Sequence, residues 1–133
     1  KNVKIVSLGV RNLSSSEMKF YNNNRKRIKI FWAKDKKNWN VNEILKHFLN
    51  KNVYITFDVD GFDSSVMPAT GTPEPGGFFW EDVIPIIKEI CKNSNIVGAD
   101  INELAPIKNF NSYNFLVAKL AYKILSYTFE FKH

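Results

Sequence analysis

At 133 residues, 44% apolar and 14% aromatic, the chain has the length of one domain and enough apolar side chains to bury a core, which excludes a disordered segment. Its formal charge of +6 comes from 19 Lys and Arg against 13 Asp and Glu, but the cations cluster only at Arg25-Lys26-Arg27 and from Lys34 to Lys37, as solvated ends of a strand, so no nucleic-acid partner is expected. A lone Cys91 rules out an internal disulfide and a cysteine metal cluster, and no apolar run reaches the ~18 residues of a membrane span, so a cytoplasmic protein with no membrane partner is expected.

The first residues, KNVKIVSLGV, read as a strand over Val3–Leu8 with no signal-cleavage site, and the missing initiator Met leaves open a start inside a longer reading frame. Gly9 turns the chain, and Ser14 and Glu17 have the spacing of a capping box at the start of a short helix that Asn22–Asn24 closes. A strand is predicted over Arg27–Trp32. A helix follows over Val41–Leu49, with Val41, Ile44, Leu45, Phe48 and Leu49 on one face, and then a strand over Val53–Phe57. After a long loop, Val83, Ile84, Ile86, Ile87, Ile90 and Cys91 recur at helical spacing over Glu81–Lys92, with Pro85 early in the helix and Cys91 as a packed thiol. A strand over Ile96–Ile101 precedes a last helix over Tyr113–Tyr127. That helix is apolar nearly all round and so expected to be buried on most sides, with Lys119 and Lys123 on its wet face.

Alternation of strand and helix predicts an α/β fold, a three-layer parallel sheet with helices on both faces, in a single segment over residues 1–133. Such sheets bind ligands at the carboxyl ends of their strands. Arg11, Asp58, Asp60, Asp63 and Glu103 are therefore expected on one edge.

The chemistry concentrates in VYITFDVDGFDSSVMPATGTPEPGG, residues 53–77. Period two sends Asp58 and Asp60 to the same side of the strand end, and two carboxylates that close repel unless a divalent cation lies between them or one holds a proton. Asp60-Gly61 also reads as a turn and Asp63-Ser64-Ser65 as a helix cap. The loop beyond is longer than a plain connection needs, and Thr70, Gly71, Thr72, Gly76 and Gly77 let backbone approach a ligand. Asp58 and Asp60 are the metal candidates, with Asp63, Thr70 and Thr72 as possible support. Glu103, at the end of IVGADINELAP, suits a planar guanidinium whose donors match two carboxylate oxygens. Asp100 lies three residues earlier, so period two does not set it beside Glu103, and it is read as a supporting acceptor. His47, beside Lys46 and Phe48, and the terminal His133 are poor catalytic candidates. That leaves two or three carboxylates where a transition metal wants four or more ligands.

FDVDGFD, then MPATGTPEPGG, then GADINELAP, in this order, resembles the ureohydrolase family of arginases and agmatinases, and Thr72-Pro73-Glu74-Pro75-Gly76-Gly77 looks most like agmatinases. The resemblance runs from LGVRNLSSSE to the final helix and covers about the C-terminal half of such an enzyme domain. It implies an enzyme of polyamine biosynthesis that hydrolyses a guanidinium substrate to urea and an amine. Its binuclear manganese (Mn2+) centre would lower the pKa of water. Asp58 would bridge both ions, Asp60 would bind one, and Glu103 would hold the guanidinium. Ser64 departs from the proline usual in the family.

The family's upstream histidine, its aspartate- and histidine-rich segment and its proton-shuttling histidine have no counterparts here. The resemblance therefore implies weak metal binding and little turnover by this chain alone, with a complementary N-terminal fragment or a homo-oligomer as partner. A degenerate or non-catalytic assembly module is the first alternative. The second is a magnesium-dependent haloacid-dehalogenase-like phosphatase, suggested by YITFDVDG but weakened by Phe62 in place of a hydroxyl residue and by the mid-chain position of the motif.

Overall fold

A computed structural model describes residues 3–132, which divide into two compact units with the boundary between Trp39 and Asn40. In the first unit, β1 (Ile5–Val10) and β2 (Ile28–Trp32) pair in parallel, from Ile5 opposite Ile28 to Leu8 opposite Phe31. Gly9, at φ +80, makes the irregularity that lets Val10 meet Trp32. A parallel pair needs a crossover, and α1 (Ser15–Asn23) supplies it. The capping box forms as the sequence predicts: the Glu17 N–H donates to Ser14 Oγ at 3.3 Å and the Ser14 N–H to Glu17 Oε2 at 2.7 Å. A 3-10 stretch, Ala33–Asn38, follows β2.

The second unit holds α2 (Val41–Leu45), β3 (Asn52–Asp58), α3 (Trp80–Asn93), β4 (Asn95–Asn102) and α4 (Asn111–Glu130). Here β3 and β4 pair in parallel, with Tyr54 opposite Gly98, Thr56 opposite Asp100 and Asp58 opposite Asn102. Strand alternation puts Val53, Ile55 and Phe57 on a half-buried face and Tyr54, Thr56 and Asp58 on an exposed one. The α/β class with parallel strands is as expected, and the four strands form two separate two-stranded sheets.

In α3, Val83, Ile87, Ile90 and Cys91 are buried at the spacing read from the sequence, and desolvation pushes the Cys91 thiol pKa up, as for a packed, unreactive group. The Asp82 carboxylate accepts from the Phe79 N–H at 2.8 Å, so the helix starts at Trp80 and Pro85 falls in its second turn, not its first.

Two helices differ from expectation. α2 stops at Leu45 instead of Leu49: the next bonds tighten to i→i+3, His47 N–H to Ile44 and Phe48 N–H to Leu45, the Leu45 carbonyl is shared with the Leu49 N–H, and Asn50 then enters the left-handed region at φ 54. Ile44 and Leu45 are buried, while Val41 and Leu49 of the same predicted face are exposed. α4 is longer than expected, and of its many apolar residues only Leu120 and Ile124 are buried. Burial on most sides is thus not reached, because the outward side of the helix meets nothing within the described residues.

Candidate functional site

Asp58 ends β3 and its Oδ1 accepts from the Asp60 N–H at 3.1 Å, which caps the 3-10 turn Val59–Gly61. Val59, 0% exposed, and Phe62, 1% exposed, anchor this turn in the core, so the intervening aspartate is carried outward. Thr72 Oγ1 donates to Asp60 Oδ2 at 2.9 Å and fixes that carboxylate from across the loop.

Asp63 holds the loop in shape. Its Oδ1 accepts from the Ser65 N–H at 3.0 Å and the Ser65 hydroxyl at 2.6 Å, and its Oδ2 from the N–H groups of Gly76 at 2.7 Å and Gly77 at 3.3 Å. Both oxygens are therefore occupied. The Ser65 bonds foremost, with those from Gly76 and Gly77, hold the Asp63 carboxyl down at about 2 from an ordinary 3.8. A depressed carboxyl stabilises the fold fully above its unfolded value and loses that contribution as pH falls through its folded value. Asp63→Asn is accordingly expected to narrow its stability deficit against the parent chain as pH falls from 3.8 toward about 2, read by denaturant unfolding at each pH. A deficit independent of pH would show that the carboxylate charge does not hold the loop.

The same loop reaches the end of β4. The Ala105 N–H donates to the Ala69 carbonyl at 2.9 Å, and a Cβ placed on Gly71 would stand 4.0 Å from Glu103 Oε2. Glu103 itself has φ 65, a left-handed conformation that takes it out of the strand's alternation and over the loop. Asp60 and Glu103 each stand near enough to Asp58 for their charges to act on it. Partial burial first, and then the charges of Asp60 and Glu103, raise the Asp58 carboxyl above the ordinary range, against the lowering effect of the Asp60 N–H. Thr70, in the same loop as Thr72, is 8% exposed, and its hydroxyl has no hydrogen-bond partner among the described residues.

Asp100 lies on the exposed face of the β3–β4 pair. Its Oδ1 accepts from Thr56 Oγ1 at 2.7 Å and from the Asn102 amide, which also donates to Thr56 Oγ1 at 3.2 Å. The hydrogen bond from Thr56 first, then those from Tyr54 and Asn102, lower the Asp100 pKa. The sequence reading missed Thr56 and Asn102. The signal was present, since period two aligns Thr56 with Asp58 and Asp100 with Asn102, but only the parallel register joins the two pairs.

Asp58 and Asp60, tied to each other through the Asp60 N–H, offer the hard oxygen donors that suit a divalent cation, so the chemistry of this pair fits part of a metal's coordination shell. Among the described residues no three His, Cys, Asp or Glu side chains form a group able to hold a metal ion. His47 is half-buried in the turn after α2, Arg11 follows β1 in the other unit, and His133 lies outside the described residues. No helix among the described residues is long and apolar enough to cross a membrane.

A sequence profile of the arginase family matches residues 1–126. The chain is 39% identical over 105 residues to the N(1)-aminopropylagmatine ureohydrolase of Synechocystis, covering 77% of this chain and 34% of that protein. It is 36% identical over 124 residues to the agmatinase of Pyrococcus horikoshii, covering 92% and 42%. The crystal structure of the agmatine ureohydrolase of Thermoplasma volcanium superposes with a TM-score of 0.77 at 28% identity, over 93% of this chain and 42% of that one. The chain thus spans less than half the length of the relatives it matches.

Proposed function

Because this chain belongs to the arginase family, we propose that it carries the carboxylate rim of a ureohydrolase centre that hydrolyses a guanidinium substrate to urea and an amine. One observation supports the reading: Thr72 of the loop holds Asp60, Gly71 of the same loop lies beside Glu103, and the charges of Asp60 and Glu103 both act on Asp58. Asp58 and Asp60 would hold manganese, and such a centre, when bound, supplies activated water at neutral pH. Glu103 accepts the guanidinium through two carboxylate oxygens and orients its carbon toward the aspartates. Thr72 keeps Asp60 aimed, Asp63 keeps the loop from opening, and Asp100 stiffens the β3–β4 pair behind Asp58.

The names of the relatives, agmatinase and N(1)-aminopropylagmatine ureohydrolase, support an aliphatic guanidino amine as substrate. In this reading the chain is the C-terminal half of a cytoplasmic ureohydrolase domain, and the complementary half supplies the remaining metal ligands and the proton-shuttling group. The phosphatase alternative finds no support in these likenesses.

The test combines the chain with the separately prepared part of the Synechocystis relative that it does not match, adds manganese, and measures urea from agmatine and from N(1)-aminopropylagmatine. Urea release from either substrate is the expected result. Bound metal with no urea from either would establish the second reading, a non-catalytic assembly module, which the lack of a three-ligand group among the described residues favours.

A further inference from the structure

α4 is apolar on two opposite sides, and only one is covered within this chain. Leu120 and Ile124 are buried, whereas Phe115, Tyr122, Leu125 and Phe129 are 71, 62, 56 and 67% exposed. With Ala118, also exposed, these outward residues recur at spacings of three, four, three and four, the repeat by which one helix packs along another. A helix side meant for water carries charges at such positions. Here the cations only flank the stripe, Lys119 against the Tyr122 ring and Lys132 against the Phe129 ring.

Beside the stripe a cavity of about 590 Å³ opens between the end of α4 and β4, and Val97, Ala99, Ile124, Leu125 and Phe129 are among its lining. Val97 is itself 59% exposed. β4 pairs with β3 alone among the described strands, so its other edge presents unpaired backbone N–H and carbonyl groups. Leu125 and Phe129 belong to both stripe and cavity, which makes the two surfaces continuous. Exposed apolar side chains joined to an unpaired strand edge have the chemistry of a surface that takes a partner.

We propose that the stripe, the cavity and the β4 edge form one docking surface, occupied by the portion of the arginase-family fold that this chain does not span, which lays a helix on α4 and a strand beside β4. The occupant follows from length: the matched region is 34% of one relative and 42% of another, so most of the fold lies in the unmatched portion. Charge points away from a second copy of the chain, because two chains of +6 repel and the flanking lysines call for acidic side chains beside the partner's apolar positions. The assignment rests on the split-centre reading above for the identity of the partner and is independent of turnover.

Mixing the chain with the unmatched part of the Synechocystis relative should give a one-to-one complex by light scattering. Leu125→Glu and Tyr122→Lys, each at an exposed position, should weaken it by at least about a hundredfold in titration calorimetry, as for central interface anchors. Val41→Glu, at an exposed apolar site away from the cavity lining, should leave it unchanged. Circular dichroism checks that each variant keeps its helices, and if Leu125→Glu does not, Tyr122→Lys decides. No complex, equal affinity in all variants, or a homodimer of the chain abolished by the same substitutions would overturn the proposal. A complex that releases no urea would leave this surface standing and remove the catalytic reading, whereas urea release insensitive to the stripe variants would do the reverse.

Discussion

Asp58→Asn in the assembled enzyme is expected to abolish urea release, by at least about a thousandfold, roughly 4 kcal/mol of transition-state stabilisation. The same variant should keep its stability within about 1 kcal/mol, because asparagine retains the Oδ1 that accepts the Asp60 N–H. Removing a negative charge also relieves its repulsion with Asp60 and Glu103, so any change in stability should be toward greater stability. Urea assay, thermal melting and metal stoichiometry on one preparation separate these effects. Unchanged urea release would take Asp58 out of the mechanism, and a lost melting transition would mean that its role is in folding.

Glu103→Gln should raise the KM for the guanidinium substrate about a hundredfold while metal content stays near that of the parent, since the amide keeps the shape and one acceptor but loses the charge that a guanidinium fork requires. The loop stays in place in this variant, because its tie to the β4 end runs through the backbone bond from Ala105 to Ala69. Calorimetric titration of agmatine alongside metal analysis provides the check. Equal losses of substrate affinity and metal would make Glu103 a ligand to the ion instead of to the guanidinium.

Element order and type were legible in the sequence because each strand and helix carries its own period and its own punctuation, from the Ser14–Glu17 box to the Val83–Cys91 stripe. Helix length was less so. Phe48 and Leu49 continue the pattern of Val41–Leu45, and only the tightened turns and the left-handed Asn50 end it. α4 shows the opposite difficulty: a helix apolar all round reads as buried, and nothing in its periodicity marks which side stays exposed within this chain.

At the candidate site, the rule that ligand-binding groups sit at the carboxyl ends of parallel strands led to the expectation that Arg11, Asp58, Asp60, Asp63 and Glu103 share one edge; the charges of Asp60 and Glu103 do act on Asp58, while Arg11 belongs to the other unit. The work of Asp63 was not, because its partners Gly76 and Gly77 lie 13 and 14 residues away, beyond any local signal. Period two also gave no means of bringing Glu103 to the aspartates, since the turn at that residue depends on a backbone angle that its side-chain type disfavours.

That disfavoured angle has an evolutionary consequence. A glutamate at φ 65 sits roughly 1–2 kcal/mol above what glycine would need at the same place. Drift governed by folding alone would run downhill to glycine or asparagine, so an acid kept at this angle is expected only where its charge is used. Descendants of this gene with glycine or asparagine at position 103 are accordingly expected to have lost urea release, which an assay of such variants checks.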